Sequence, residues 1–86
     1  MAILILYSRQ GCCLCEGLEE RLRELVAPEE LLVVDVDGDG ALQARYGLSV
    51  PVLGLSTPAG VISLPPVPPR LRGAGLQAWL NRHGAG

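Results

Sequence analysis

Three cysteines fall within four positions, Cys12, Cys13 and Cys15, in the stretch "RQGCCLCEG" of residues 9–17. A thiol can act as a nucleophile, a soft metal ligand or a small buried hydrophobe. Cys12 and Cys15 have the spacing C-x-x-C, one turn apart if a helix begins here. At a helix N-terminus the unpaired N–H groups and partial positive charge favour a thiolate, the nucleophilic form of the side chain. Cys15, one turn further in, is close enough to attack a mixed disulfide formed on Cys12, so the pair could cycle between dithiol and disulfide. Arg9 adds a cation three residues ahead of Cys12. Cys13 is expected nearer solvent than Cys15. It could compete as resolving thiol, form a mixed disulfide of its own, link two molecules, or be a tolerated substitution. Three clustered thiolates could also hold Cu(I) or zinc, although tetrahedral coordination needs a fourth ligand that the neighbouring sequence does not supply.

This chemistry depends on the elements around the cysteines. "AILILY" is a short apolar run and predicts a buried strand, interrupted by "SRQG". From Cys13 to about Val26 the pattern becomes helical, with Leu14, Leu18, Leu22 and Leu25 on one face. Arg23 can pair back to Glu19 or Glu20, and Pro28 closes the region. "ELLVVDVD" (30–37) predicts a second strand, whose unbroken apolar segment suits a parallel strand covered on both faces. "ALQARYGL" predicts a short helix capped by Gly47. "SVPVLGLS" and "VISL" predict a hairpin about "TPAG". "PPVPPRLRG" is an extended connector, and "GLQAWLNRH" a last helix with Leu76, Trp79, Leu80 and His83 on one face. A strand–helix–strand unit of this length implies a right-handed parallel crossover. The fold class is therefore α/β, a four-stranded mixed sheet with helices on its faces in the order β-α-β-α-β-β-α, and residues 1–86 form one domain.

Composition narrows the function classes. Apolar residues make up 49% of the 86, enough for a core, and with no Phe and one Trp its packing must be aliphatic. All seven basic residues are Arg, and against nine acids they leave a net charge of -2, which does not favour nucleic acid or an anionic membrane. Only five apolar residues, Ala2–Leu6, follow Met1, without the basic flank of a signal peptide. No stretch approaches the roughly 20 apolar residues of a membrane span. The expectation is a soluble, cytoplasmic protein in a compartment that keeps thiols reduced.

"YSRQGCCLC" resembles the glutaredoxin segment Y-S/T-K-x-x-C-P-Y/F-C, with Arg9 in place of Lys, and "SVP" (49–51) resembles the T-V-P of that family. "DVD" followed by "LQARYGLSVPVL" is similar to the run from second strand to cis-proline in the thioredoxin superfamily. The likeness covers nearly the whole chain and is nearest to short glutaredoxin-like proteins with C-x-L-C motifs. It implies a thioredoxin-like fold, Cys12 as nucleophile and Cys15 as resolving thiol. It also implies a cis bond before Pro51, with Pro51 shaping a platform on which the Val50 N–H and C=O meet a bound thiol peptide, and Arg9 meeting a carboxylate. The sequence departs from the family at Cys13, where proline or glycine is usual. The family's glycine-rich G-G-x-x-D, which holds glutathione, is only partly echoed by Gly73 and Gly75, with Ala78 in place of the acid.

Two further motifs imitate other functions. "DVDGDG" (35–40) matches the start of a calcium loop, but its twelfth position is Tyr46 rather than a bidentate Glu and a strand precedes it, so a solvated turn is expected. "PPVPPR" (65–70) contains P-x-x-P-x-R, here read as a stiff connector rather than a groove-binding ligand. His83 is too isolated for a metal role. The functional expectation is a thiol–disulfide oxidoreductase acting on protein or glutathione-linked disulfides. Its partners would be a disulfide-containing protein or small thiol and an external thiol reductant, with no nucleic acid and no membrane. It would be monomeric, with no required cofactor, no metal, and glutathione as a candidate co-substrate. The alternative is a metal- or iron–sulfur-binding glutaredoxin-like module.

Overall fold

The computed structural model describes residues 3–47, 50–68 and 70–84. The elements run β1 (Ile3–Ser8), α1 (Cys13–Arg23), β2 (Leu31–Asp35), α2 (Gly40–Tyr46), β3 (Val52–Thr57), β4 (Gly60–Ser63) and α3 (Gly73–Arg82). Single 3₁₀ turns at Pro28–Glu30 and Val36–Gly38 flank β2. The strand order across the sheet is β2-β1-β3-β4. β1 is parallel to β2 and antiparallel to β3, and β3 is antiparallel to β4, so the sheet is mixed as the element order predicts.

Alternation along the strands sorts side chains into two layers. Leu4 and Leu6 of β1, Leu31 of β2, and Leu53 and Leu55 of β3 pack against Leu18 and Leu22 of α1 and against Leu76, Trp79 and Leu80 of α3. The opposite face carries Ile5, Tyr7 and Val36, with Leu42 and Tyr46 of α2 packed on it. Two helices thus cover one face and the short α2 the other. The Tyr7 and Tyr46 rings lie 4.7 Å apart, which fixes α2 over the end of β1 nearest the cysteines. Burial raises the Tyr7 pKa; the neighbouring Tyr46 adds to the rise and Arg45 opposes it.

Four expectations change. β2 is an edge strand and not covered on both faces: Leu32 is 52% exposed, and the fully buried run is instead Leu4–Tyr7 of β1. A seven-residue α2 spans only about 10 Å and leaves Leu32 uncovered. α1 ends at Arg23 rather than near Val26, after which Leu25 and Val26 both donate to the Leu22 carbonyl in a tight turn. Its buried face is Cys15, Leu18 and Leu22, while Leu14, expected in the apolar stripe, is 60% exposed. Pro28, expected to end α1, instead opens the following 3₁₀ turn.

Other readings hold. Arg23 Nε bonds Glu19 Oε2 at 2.9 Å. The hairpin turns where Gly60 adopts φ 124°, a left-handed conformation open to glycine, and the Thr57 hydroxyl donates to the Gly60 carbonyl at 2.6 Å. The connector is anchored rather than loose. The Leu64 N–H donates to the Leu53 carbonyl at 2.8 Å, Val67 and Leu71 pack on the core, and the Arg21 guanidinium donates to the Leu71 carbonyl. Pro69 lies outside the described residues. His83 caps α3, its N–H reaching the Trp79 and Leu80 carbonyls, and its ring lies tilted against Trp79 with the centroids 4.3 Å apart.

Candidate redox site

β1 delivers the chain to the corner at Ser8, and Gly11 turns it with φ 77°. The Cys12 N–H closes this turn onto the Arg9 carbonyl at 3.2 Å. Cys12 is then the N-cap of α1, in an extended conformation, with its sulfur accepting the Cys15 N–H at 3.2 Å. Sulfur here occupies the place of the capping oxygen of Ser or Asp and meets one of the orphan donors of the first turn. Cys12 and Cys15 are paired by a disulfide, with Cα atoms 5.2 Å apart, inside the usual range for a bridge.

The three cysteines differ sharply in access. Cys12 is half-buried, Cys15 is 1% exposed, and Cys13 is exposed and unpaired. Cys15 is sealed because its position shares the α1 face with Leu18 and Leu22. A reagent from solvent therefore meets Cys12 before Cys15. The helix N-terminus under Cys12 supplies the partial positive charge that stabilises a thiolate.

Val50 and Pro51 enter the sheet beside this corner. β3 runs antiparallel to β1 with Tyr7 opposite Val52, so the chain reaches β3 through Pro51 at the same sheet end where β1 leaves for Cys12. The Val50–Pro51 peptide bond is cis. Val50 is half-buried against the Ile5–Tyr7–Val36 cluster. Its N–H, expected to meet a bound peptide, instead donates to the Tyr46 carbonyl at 3.1 Å, one turn beyond the end of α2. A backbone N–H is a single donor, so this bond removes half of the expected pairing. Ser49, the first residue of "SVP", lies outside the described residues.

Arg9 is also engaged. Its Nε donates to Asp37 Oδ2 at 3.0 Å and its Nη1 to the Gly47 carbonyl at 3.0 Å. The guanidinium thus ties the cysteine corner to the turn after β2 and to the end of α2. Sequence reading missed Asp37 and Gln43, whose amide nitrogen donates to Asp37 Oδ1 at 3.1 Å. No local signal reports a partner 28 positions away.

The same contacts explain "DVDGDG". Asp35 Oδ1 accepts the Asp37 N–H at 2.9 Å, Asp39 Oδ1 accepts the Ala41 and Leu42 N–H groups at 2.9 and 3.4 Å, and Asp37 holds Arg9. Each acid has a turn, cap or ion-pair role, as the solvated-turn reading expects. Among the described residues, no group of three or more His, Cys, Asp or Glu is placed to hold a metal ion, and no helix is long and apolar enough to cross a membrane.

The sheet order, the helices on both faces and the paired cysteines opening α1 define a thioredoxin-like fold. The family model for the glutaredoxin-like domain (DUF836) matches residues 3–81, and the chain belongs to that family. A protein from X. campestris, solved by X-ray crystallography as a structural-genomics target, is similar at 35% identity. The match covers 92% of this chain and 96% of that one, with a TM-score of 0.61. No curated protein matches the sequence significantly. Family and cysteine pair together fit a redox-type role.

Proposed function

We propose that the protein is a thiol–disulfide oxidoreductase that works through the Cys12/Cys15 couple. The observation that carries this reading is the graded access at the corner: a half-buried sulfur capping α1, within bridging reach of a sealed one. In the reduced protein, the Cys12 thiolate attacks one sulfur of a substrate disulfide. A Cys12–substrate bond forms, the substrate S–S bond breaks, and one substrate thiolate leaves. Cys15, deprotonated, then attacks Cys12 Sγ and expels the second substrate thiolate, leaving the Cys12–Cys15 disulfide. Two electrons have passed to the substrate, and an external thiol reductant returns them. The cycle needs no metal or cofactor, and it suits a cytoplasmic setting where thiols are kept reduced.

The test is mass spectrometry of thiol labelling across a series of redox buffers. Cys12 and Cys15 should lose label together, as a two-electron couple, while Cys13 stays labelled. A Cys15→Ser variant should trap a mixed disulfide on Cys12. If Cys12 and Cys15 stay reduced at every biological potential, or if the trapped adduct sits on Cys13, the reading fails.

A further inference from the structure

The sheet has two open edges, β2 and β4, and they are built differently. β2 is bounded by Glu30 and Asp35, charges of the kind that discourage the addition of a further strand. β4 has no such device. All four of its residues are exposed, Val61 and Ile62 by about half, and none is charged. No acid or base occurs anywhere in the sequence between Arg45 and Arg70.

β4 is nevertheless held in place. The Leu64 N–H donates to the Leu53 carbonyl at 2.8 Å, and the Ser63 and Tyr46 hydroxyls lie 3.3 Å apart. The Val61 side chain leans over Gly54, where a Cβ would meet its Cγ1 at 2.9 Å. An edge already ordered in this way loses little freedom when another strand joins it.

The strand register sets which backbone groups point away from the sheet. Leu64 bonds inward to Leu53, so by antiparallel alternation Ile62 and Gly60 also turn their N–H and C=O groups towards β3. Val61 and Ser63 therefore turn theirs outward. Pro65, two residues further on, has no N–H and ends the row.

Two outward residues separated by one position fit their own copy in one register that uses them all. About a twofold axis at Ile62, Val61 of each copy exchanges both hydrogen bonds with Ser63 of the other. Four ladder bonds, about as many as this short row can make, then form. Ile62 faces its own copy directly, in a non-hydrogen-bonded pair whose Cα atoms approach to about 4.5 Å. A twofold contact sets the same patch against itself, so a charged strand would repel its copy. The uncharged stretch around β4 removes that obstacle in a chain of net charge -2, and it offers an acidic or basic partner nothing to pair with.

We propose that β4 is a self-association surface. Two copies join edge to edge and antiparallel about Ile62, so that two four-stranded sheets become one continuous sheet. This replaces the monomer expected from the sequence, and it does not depend on the cysteine chemistry. The contact is small, which places its dissociation constant at about 0.1–1 mM.

The test is sedimentation equilibrium of the full chain with a thiol reductant present, which excludes cross-links through Cys13. The average mass should rise from 9.1 kDa towards twice that value as concentration passes through the stated range. Amide NMR shifts on dilution should centre on Gly60–Leu64. Ile62→Lys and Ile62→Glu place like charges opposite one another, and each should weaken association at least about tenfold. An equal mixture of the two should associate at least as tightly as wild type, because opposite charges then meet across the axis. The rescue also shows that both variants fold. The proposal is overturned if the wild type stays monomeric up to about 2 mM, or if either charged variant alone associates like wild type. It is equally overturned if the mixture associates no better than its components, or if the dilution shifts centre on another face.

Discussion

Leu14 and Leu18 sit four residues apart on α1 and look equivalent in the sequence, yet the structure assigns them opposite environments. Leu18 is 2% exposed and Leu14 60%. Truncating each to alanine therefore tests the rotation of the helix. Leu18→Ala removes three carbons from a buried side chain, about 2.4 kcal/mol of transfer at about 0.8 kcal/mol per carbon. The cavity left under the sheet brings the cost to about 2–5 kcal/mol. Leu14→Ala gives up at most about two-fifths of the transfer part, or about 1 kcal/mol, and leaves no cavity. Alanine's higher helix propensity reduces that further. For a domain of this size, with a total stability of about 4–13 kcal/mol, the Leu18 variant should melt roughly 10–30 °C lower, and the Leu14 variant within about 5 °C of wild type. Urea unfolding of the reduced proteins at low temperature, followed by the single Trp79, gives both free energies. Equal losses would refute the reasoning. They would mean that α1 is turned by about 100°, one residue, with Leu14 inward and Cys15 outward, and the shielding that distinguishes Cys15 from Cys12 would be lost.

Two more outcomes follow from single contacts. Asp39→Ala removes the acceptor for the Ala41 and Leu42 N–H groups at the start of α2 and should cost about 1 kcal/mol. It should appear as faster amide exchange in α2 and as a lower urea midpoint; unchanged exchange would refute the capping role. Burial raises the Tyr7 pKa above its ordinary 10.0, so the fold favours the neutral phenol. Its contribution to stability is complete below pH 10 and is lost as the pH rises through the raised folded-state value. Tyr7→Phe should therefore flatten the alkaline limb of the stability curve, and equal slopes for wild type and variant would contradict this.

The order of elements was legible because each has a local signature: an apolar run at Leu4–Tyr7, leucines at helical spacing through Leu22, and a Pro58–Gly60 turn between short strands. The errors arose where a local pattern admits two solutions. Leu14, Leu18 and Leu22 make a good helical stripe, but so do Cys15, Leu18 and Leu22, since cysteine packs as a small hydrophobe. Only the docking of α1 on Leu4, Leu6 and Leu53 selects between them. Likewise Leu31–Val34 reads as doubly buried, while the position of β2 at the sheet edge is a property of strand order and has no local mark. The candidate cysteines were visible from spacing alone. The Arg9–Asp37 pair and the Val50 N–H on Tyr46 were not, because both arise when β1, α2 and the turn after β2 converge at one end of the sheet.

The three thiols themselves stand in different environments. Cys12 is the N-cap and Cys15 the third residue of α1, so the two lie on one side of the helix, and the cap bond from the Cys15 N–H to the Cys12 sulfur draws them together. Adjacent helical residues do not face one another. Cys13, the first residue of α1, is accordingly directed away from the Cys12–Cys15 axis into solvent. An exposed thiol is not by that fact the better partner for Cys12. Helical periodicity instead pairs Cys12 with the cysteine that Leu18 and Leu22 help to bury, while Cys13 faces solvent. The same one-residue register that exposes Leu14 therefore seals Cys15 and turns Cys13 outward, so the rotation of α1 governs which of the three sulfurs solvent can reach.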